Sequence, residues 1–429
     1  MSTKRPKASK SSQKRRVYIE TYGCTLNQAD SDLIAGLLQS RGYSITDEKS
    51  ADVVILNTCT VKSATESKIL YRLKNLKKPV VVAGCMSVNE DRVRKASPSS
   101  VIVSPHSIKE IPDAVSYALK RSPAVFSSFS SKENIPRVFK APILRIPIQE
   151  GCTGNCTFCE TKFARPVLRS HSVKTIVRWV EEGVKKGAKE IQLTGMDCGA
   201  YGIDINSELP ELLEHVLSVE GDFLVRLGMI NPKHVIQTEK KLLKLFKNEK
   251  FYKFLHIPVQ TGSEKVCGDM NRRHTVKDYL KLVNDFREKI PEMTIATDII
   301  VGYPTENEDD FRKTKSVLIK SSPDVVNVSK FSVRDRTPAK SLKQLKTETI
   351  KRRSTELSKL VKEITAERNS SLVGNVYDVL ITEKQKDYTG RNRSYKQVVV
   401  KDFKGKTGET VKAKIEKSNH GSLIAYLYR

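Results

Sequence analysis

The stretch ILRIPIQEGCTGNCTFCE, residues 143–160, places an apolar run directly before three closely spaced cysteines. The run is typical of a buried β-strand, and Cys152, Cys156 and Cys159 follow it with C-x3-C-x2-C spacing. Helix-length segments separate it from five further strand candidates. These are EIQLTG (190–195), FLVRLGM (223–229), FLHIPV (254–259), TIATDIIVG (294–302) and VVNVSKFS (325–332). Six β/α units predict a partial or closed parallel barrel over residues 141–368, with the cysteine loop at its C-terminal mouth.

Three thiolates in one loop are one ligand short of a structural zinc site, which takes four ligands and usually pairs of C-x2-C. Three ligands suit a [4Fe–4S] cluster that keeps one iron open for a substrate or cofactor. Gly151 and Gly154 allow the loop to fold closely around a bulky group. Zinc ligation and chance spacing remain the alternatives at this point.

Upstream, the almost wholly apolar run DVVILNTC (52–59) is typical of a strand buried on both faces of a parallel sheet. Strand and helix patterns alternate around it, so residues 17–120 are predicted to form a doubly wound parallel α/β domain. The Ser- and Pro-rich stretch 121–140 is predicted to be a linker. Residues 1–16 hold seven basic groups and no acid, which indicates a basic disordered arm.

Cys24, Cys59 and Cys85 each follow a predicted strand of this first domain, in YGC, NTC and AGC. The carboxyl ends of parallel strands meet at one edge, where ligands bind. Taken singly, each is more often a buried strand cysteine, but their shared placement favours a second three-thiol metal site. Cys198 and Cys267 lack such neighbours and are expected to be packing residues.

After a basic helix at 346–369, short alternating strands predict a small OB-like β-barrel over 369–429. Aromatic and basic residues alternate within it, a pattern expected of an RNA-binding surface. The residues of this set are Tyr388, Tyr395, Phe403, Arg391, Arg393, Lys396, Lys401, Lys404 and Lys406.

The composition agrees with a nucleic-acid partner. The 429 residues contain 76 Lys and Arg against 49 Asp and Glu, a net charge of +27, together with eight cysteines. No apolar run is long enough to span a bilayer, and no secretory leader follows the basic N-terminus. We therefore expect a cytoplasmic protein without membrane attachment.

At Cys152–Cys159 the chain resembles the radical S-adenosylmethionine (SAM) enzymes. VYIETYGCTLNQADS, ADVVILNTCTVKSATESK and VVVAGCMS resemble the N-terminal domain of methylthiotransferases, and LTGMDCGAYG, FLHIPVQTGSEKV and MNRRHT resemble their radical-SAM domain. The C-terminal module resembles a TRAM domain. RLGMINP and TIATDIIVGYPTE are most similar to the archaeal and eukaryotic branch, the tRNA threonylcarbamoyladenosine methylthiotransferases, and the ending at Arg429 favours a soluble, archaeal-type form.

The resemblance implies two [4Fe–4S] clusters, one on Cys152, Cys156 and Cys159 that cleaves SAM to a radical, and an auxiliary one on Cys24, Cys59 and Cys85 that delivers sulfur. One SAM would donate the methyl group and a second would be the radical source. The target would be carbon 2 of threonylcarbamoyladenosine 37 in the tRNA anticodon loop. An electron donor such as a flavodoxin or ferredoxin, and a sulfur source, would be further partners.

Other residues match the family less specifically. The resemblance implies cofactor binding by Phe158, Gly195, Asp197 and Arg226. We expect a scaffold role for His256 and Gln260, and either phosphate contacts or solvated charge for Lys162 and Arg165.

Two alternatives stay open. The same chemistry could act on isopentenyladenosine 37 of tRNA or on a ribosomal-protein aspartate. The chain could instead be a non-catalytic, metal-stabilised RNA-binding protein.

Overall fold

The computed structural model describes residues 14–428, which form two compact units. The first unit contains residues 14–60 and 64–138, and the second contains residues 61–63 and 139–428. The predicted basic arm lies mostly in residues 1–13, outside the described residues. Within the part of the chain that the structure describes, no helix combines the length and the apolar character that a membrane span requires.

The first unit is a six-stranded parallel sheet with strand order β2-β1-β3-β4-β5-β6. Its strands are β1 (Arg16–Thr21), β2 (Ser44–Ile45), β3 (Val53–Thr58), β4 (Val80–Gly84), β5 (Val101–Val103) and β6 (Ala124–Phe126). Its helices are α1 (Thr25–Ser40), α2 (Ser63–Asn75), α3 (Glu90–Ala96) and α4 (Ile111–Leu119). Alternate residues of β3 enter different cores: Val53 and Ile55 pack with α1 and α4, and Val54 and Leu56 with α2 and α3. The predicted doubly wound domain is confirmed.

The segment 121–140 is more structured than its composition suggests. Its residues 124–126 form β6, which pairs in parallel with β5, and Ile135 is buried in the core beneath α1. The prediction of a linker is therefore wrong for these residues. Three residues of strand are too short to produce a readable alternation between Ser- and Pro-rich flanks.

The second unit contains a central barrel of parallel strands built from two sheets, β11-β10-β7 and β12-β13-β14. The bridge Val225↔Phe251 joins the sheets, and β7 and β14 are the end strands of this partial barrel. Its strands, with a small hairpin formed by β8 and β9, are β7 (Ile143–Pro147), β8 (Gln149–Glu150), β9 (Arg169–Ser170), β10 (Glu190–Thr194), β11 (Leu224–Leu227), β12 (Phe254–His256), β13 (Thr294–Val301) and β14 (Val325–Lys330). The predicted six-unit partial barrel is confirmed.

Helices cover the outside of the central barrel. They are α5 (Thr161–Ala164), α6 (Val173–Lys185), α7 (Leu209–Ser218), α8 (Pro232–Phe246), α9 (Glu264–Asp269), α10 (Val276–Lys289), α11 (Glu308–Ser321) and α12 (Thr347–Ser370). Outward-facing strand residues such as Ile191 and Leu193 pack under these helices in one large core. Their neighbours Glu190, Gln192 and Thr194 face the interior, because successive strand residues point to opposite sides.

The chain ends in a closed five-stranded barrel, β15-β16-β17-β19-β18, as predicted. Its strands are β15 (Val376–Lys384), β16 (Tyr388–Asn392), β17 (Gln397–Lys401), β18 (Thr410–Ser418) and β19 (Leu423–Leu427). Small and β-branched residues such as Val379, Val398 and Ala413 fill its interior.

The turn between β16 and β17 docks this C-terminal barrel onto the floor of the central barrel, at the amino ends of its strands. Tyr395 adopts left-handed backbone geometry (φ 59°) and its hydroxyl donates to Glu190 Oε1 at 3.1 Å. Its ring packs 4.8 Å from that of Tyr252 and 5.0 Å from that of Phe254. The carbonyl of Arg393 accepts from the backbone N–H of Lys253 at 2.9 Å. Tyr395 thus forms part of the barrel floor.

A buried carboxylate forms a second anchor. Asp324, just before β14, accepts from Lys396 Nζ at 2.9 Å, Arg368 Nε at 3.0 Å and Arg287 Nη2 at 3.1 Å. Burial alone would raise the pKa of Asp324, but the charges of Lys396 and Arg368 outweigh it and hold that pKa below its usual value.

These contacts correct the predicted RNA surface. The side chains of Tyr395 and Lys396 bind residues of the central barrel, and the Arg393 guanidinium donates to the carbonyl of Glu249. These three residues therefore serve docking between the barrels. The sequence pattern does not reveal this, because their partners lie 70 to 200 residues away along the chain.

Replacing Asp324 by Asn should lower the free energy of unfolding of the second unit by roughly 3 kcal/mol, because three cations lose their shared carboxylate in a buried position. The measurement is urea denaturation at pH 7, followed by circular dichroism. Since the pKa of Asp324 is lowered, this stabilisation is present above about pH 4 and disappears as the pH falls through the lowered value. The two proteins should therefore converge in acid.

Asp387→Asn is the matched control, because Asp387 pairs with Lys401 near the surface of the C-terminal barrel, in the same unit. It should cost less than about 1 kcal/mol. An equal loss in both variants would contradict the anchoring role of Asp324.

Candidate functional site

The loop that carries Cys152, Cys156 and Cys159 lies at the carboxyl ends of the central strands, as predicted. Gly151 begins it at φ 72°, against the backbone of Val167, so a side chain there would be both strained and blocked. The loop is held from the α9 side: the N–H of Thr157 donates to the carbonyl of Met270 at 3.2 Å. Asn271 Nδ2 donates to the carbonyl of Asn155 at 3.0 Å.

Donors surround the sulfurs of this loop. The backbone N–H of Gly154 points to Cys152 Sγ at 3.2 Å, and Arg272 Nη1 lies 3.2 Å from Cys156 Sγ. A Cβ on Gly154 would stand 3.2 Å from Cys152 Sγ and 3.8 Å from Cys156 Sγ. Because Gly154 has no side chain, it lies between two sulfurs without blocking access to either. A hydrogen-bond donor lies close to each of these sulfurs, and such donors stabilise thiolates.

The free thiols resist ionisation. Burial, followed by the nearby charge of Asp197, raises the pKa of Cys152 to about 12. Burial also raises the pKa of Cys159, and the neighbouring Cys156 adds to the effect. A metal group supplies the positive charge that converts such thiols into thiolate ligands. The donor set is therefore suited to an iron–sulfur cluster.

Arg272 is a residue that sequence reasoning missed. Its Nη2 also donates to the carbonyl of Pro258 at 2.8 Å, so the guanidinium connects Cys156 with the strand end after β12. It lies in MNRRHT, where one basic residue among three gives no signal of contact with a cysteine more than a hundred positions away.

Phe158 and Gly195 lie beside this loop. The ring of Phe158, next to Cys159 in the chain, is partly buried against the side-chain cluster that includes Val266 and Tyr303. A Cβ on Gly195 would stand 2.9 Å from the side chain of Gln149, so glycine permits the close approach of β10 to the cysteine loop.

Asp197 is a buried scaffold residue at the end of β10. Its Oδ1 accepts from the N–H of Asn231 at 3.0 Å and of Gly199 at 3.2 Å, and its Oδ2 lies 3.6 Å from His234 Nε2. Burial lowers the pKa of His234, which keeps the ring neutral at pH 7. Asp197 therefore ties the end of β10 to the start of α8.

Arg226 points along the interior of the barrel toward its floor. Its guanidinium lies 5.3 Å from the centre of the Phe254 ring and 5.8 Å from that of Tyr395. Its Nε is buried and has no hydrogen-bond partner among the described residues.

Other predicted residues hold the scaffold. His256 Nε2 lies 3.2 Å from Asp298 Oδ2, and Gln260 is joined to β13 by backbone hydrogen bonds. Arg165 is buried and pairs with Glu150 at 3.2 Å, so it is neither of the two alternatives left open by the sequence, a phosphate contact or a solvated charge. The Lys162 ammonium donates to Asn155 within the cysteine loop. The local sequence did not indicate that Arg165 is ion-paired or that Lys162 is hydrogen-bonded within the loop.

The second cysteine triad lies in the first unit, at the carboxyl edge of its sheet. Cys24 begins α1 after β1 and is exposed, whereas Cys59 and Cys85 follow β3 and β4 and are buried. A Cβ on Gly23 would stand 2.7 Å from Cys59 Cβ and 2.8 Å from its Sγ. The three strand ends therefore meet as predicted.

Asn27 connects these strand ends. Its Nδ2 donates to the carbonyls of Thr58 at 2.7 Å and Tyr22 at 2.9 Å, and its Oδ1 lies 3.9 Å from Cys85 Sγ. An amide at this position fixes the spacing of three chain segments that carry thiols. The arrangement has the three donors that a cluster with one open iron requires.

Neither triad has the geometry of a site for a single metal ion. Over residues 14–428, no group of three or more His, Cys, Asp and Glu side chains is closely enough arranged to hold one. Thiolates of an iron–sulfur cluster each bind a different iron, so they are set further apart than the ligands of a single ion.

The other two cysteines are buried in the core. A Cβ on Gly228 would stand 2.6 Å from Cys198 Sγ, and Cys267 Sγ lies 3.2 Å from the carbonyl of His274. Burial raises the pKa of Cys267 to about 11 and that of Cys198 to about 12.

Comparisons with known families agree with this division. The Radical SAM superfamily matches residues 146–318, the TRAM domain matches residues 370–427, and the uncharacterized protein family UPF0004 matches residues 16–104.

Full-length relatives share one name. The probable threonylcarbamoyladenosine tRNA methylthiotransferase of Archaeoglobus fulgidus is 41% identical, with 96% of this chain and 98% of the relative covered. That of Methanothermobacter thermautotrophicus is 39% identical over 96% of this chain and 99% of the relative. The threonylcarbamoyladenosine tRNA methylthiotransferase of Drosophila melanogaster is 33% identical over 96% and 77%.

A solved structure shares the fold. The radical SAM methyltransferase TsrM from Kitasatospora setae, with cobalamin and a [4Fe–4S] cluster bound, aligns with a TM-score of 0.53 at 14% identity. The alignment covers 76% of this chain and 77% of that chain.

Gly23→Ala should displace Cys59 and prevent cluster formation in the first unit, because the added Cβ would overlap the Cys59 side chain. We expect iron bound after anaerobic reconstitution to fall by about half, since the triad in the central barrel is untouched. Iron assay and absorbance near 400 nm measure this.

Gly42→Ala is the control. Gly42 also has positive φ (83°) in the first unit, but nothing lies within 4 Å of its Cβ position. It should carry the same backbone strain and retain its iron. Full iron content in Gly23→Ala would argue against Cys59 as a ligand.

Proposed function

Because the chain belongs to the family of threonylcarbamoyladenosine tRNA methylthiotransferases, we propose that it adds a methylthio group to carbon 2 of threonylcarbamoyladenosine 37 in tRNA. The observation that carries the proposal is the division of six cysteines into two triads, each at the carboxyl ends of parallel strands. One triad lies in the radical SAM domain and the other in the UPF0004 domain.

The chemistry requires cofactors. A C–H bond at carbon 2 of adenine is not acidic enough for a His or Glu side chain to activate. When bound, SAM and two [4Fe–4S] clusters supply the radical, the methyl group and the sulfur for which proteins have no side chain. The chain's own residues bind these groups, orient them and exclude water.

In the central barrel, Cys152, Cys156 and Cys159 would hold the cluster that cleaves SAM. The N–H of Gly154 and the guanidinium of Arg272 lie within hydrogen-bond distance of two of these sulfurs, and such contacts tune a cluster's potential. In the first unit, Cys24, Cys59 and Cys85 would hold the auxiliary cluster, with Asn27 setting the spacing of the strand ends.

The SAM contacts proposed for Phe158, Gly195, Asp197 and Arg226 differ in kind. Phe158 offers a partly exposed ring next to Cys159, whereas Gly195 lies against Gln149 and permits the close approach of β10 to the cysteine loop. Asp197 acts as a positioning residue, because its Oδ1 already accepts from two backbone N–H groups. Arg226 has a buried Nε without a partner among the described residues, but its guanidinium packs on the rings of the barrel floor, away from the cysteine loop, which does not favour a contact with SAM.

The tRNA would bind across the basic surface of the C-terminal barrel. Of the predicted RNA-contact set, Tyr388 and Phe403 pack edge to face at 4.9 Å, and Lys404 and Lys406 are exposed beside them. We expect Lys404 and Lys406 to contact phosphate, whereas the Tyr388 ring already has the Lys384 ammonium 5.0 Å over its face. The electron would come from a flavodoxin- or ferredoxin-type donor and the sulfur from a separate source.

The test is the nucleoside mass spectrum of tRNA from a strain that lacks this gene and carries each of three versions of it. The wild-type gene should restore 2-methylthio-threonylcarbamoyladenosine, whereas Cys59→Ala and Cys156→Ala should not. Purified Cys59→Ala should still cleave SAM when reduced, and Cys156→Ala should not, because only the triad of the central barrel supports cleavage.

Cys198→Ala is the control, since it changes a buried cysteine outside both triads. Restoration of 2-methylthio-isopentenyladenosine would assign the other tRNA substrate. Unchanged tRNA nucleosides in the deletion strain would overturn the proposed function.

A further inference from the structure

A cavity of about 350 Å³ lies where the C-terminal barrel meets the central barrel and α12. We call it the seam cavity. It is at the floor of the central barrel, at the opposite end of the strands from the cysteine loop. Asp324, Asn369, Arg391, Lys396, His420 and Ser422 are among the residues that line it.

The seam cavity borders a buried cluster with excess positive charge, of whose three cations only Lys396 lines the cavity itself. Asp324 is one carboxylate shared by three cations, which leaves a formal charge of +2 on the cluster. Among the described residues, none of the cations Arg287, Arg368 and Lys396 has an ion pair with a second carboxylate. Burial, reinforced by the charges of Arg368 and Arg287, lowers the pKa of Lys396.

Arg391 adds a further positive charge to the same cavity. Its guanidinium lies 4.7 Å from the centre of the Tyr395 ring, and Nη1 donates to the Tyr395 carbonyl at 3.4 Å. Among residues 14–428, Arg391 makes no further side-chain hydrogen bond and no ion pair. A guanidinium has five N–H donors, so most of the donors of this cavity-lining residue are unused.

The polar groups around the cavity are mainly donors. Lys396 Nζ uses one hydrogen on Asp324 and one on Asn369 Oδ1 at 2.9 Å, and a third remains. The hydroxyl of Ser422 and the ring of His420 also line the cavity, whereas the Thr365 hydroxyl already donates to the carbonyl of Val361 at 2.9 Å. Unbalanced buried charge is costly, so a bound anion would relieve it.

We propose that the seam cavity binds a phosphate group between Arg391 and Lys396, and that a phosphodiester of bound tRNA supplies that phosphate. Phosphate matches a guanidinium beside an ammonium in charge and in donor geometry. The source of the phosphate rests on the proposed function, whereas the anion site itself does not. The site would fix the tRNA backbone at the junction of the two barrels.

The experiment measures tRNA affinity of the full chain at several salt concentrations for wild type, Arg391→Gln and Arg391→Lys. Arg391→Gln should weaken binding about tenfold, and the slope of log affinity against log salt should fall in magnitude by about 1. Arg391→Lys keeps the charge and should retain the slope. Lys240→Gln, which removes one exposed charge from α8, should leave the slope unchanged.

A second arm uses inorganic phosphate without tRNA. Phosphate should raise the melting temperature of the wild type more than chloride does at matched ionic strength, and it should not do so for Arg391→Gln. If phosphate stabilises the wild type but Arg391→Gln binds tRNA normally, the site takes a free phosphate compound and the tRNA source is overturned.

The two arms distinguish failure of the anion site from failure of the proposed function. If the chain binds no tRNA, the proposed function fails, while phosphate stabilisation lost in Arg391→Gln still supports the anion site. If phosphate raises the melting temperature of neither the wild type nor Arg391→Gln, and Arg391→Gln has the same tRNA affinity and salt dependence as Lys240→Gln, the seam cavity is not an anion site.

Discussion

The carboxyl ends of parallel strands must lie together, because their hydrogen bonds hold the strands in one direction. This chain uses that constraint twice. In the first unit, it brings together Cys24, Cys59 and Cys85 from three strand ends separated by more than 20 residues each. In the central barrel, the same constraint places the loop that carries three cysteines at the mouth formed by the carboxyl ends of the strands. Each arrangement supplies three thiols, which is the number of ligands that a [4Fe–4S] cluster with one open iron requires.

Local sequence carried most of the architecture. The apolar runs before Cys59 and Cys152 predicted buried parallel strands, and the change to short alternating strands after residue 370 predicted a small barrel. Long-range pairing could not be predicted in the same way. Tyr395 meets Glu190 across 205 positions, and Arg272 meets Cys156 across 116. Such contacts depend on how elements pack, and their residues appeared as ordinary basic or aromatic positions.

The C-terminal barrel does more than present a basic surface. Tyr395 closes part of the central barrel's floor, and its ring and that of Phe254 contact Arg226 in the barrel interior. Lys396 reaches the buried Asp324 at the same junction. The TRAM domain and the radical SAM barrel therefore meet through side chains that belong to the packing of both.

We propose that the two separate thiol triads hold two clusters. The decisive measurement is iron and sulfide analysis after anaerobic reconstitution of the wild type and of a variant with Cys24, Cys59 and Cys85 all replaced by Ala. We expect about eight irons per wild-type chain and about four in the variant. About four irons in both proteins would contradict the auxiliary site.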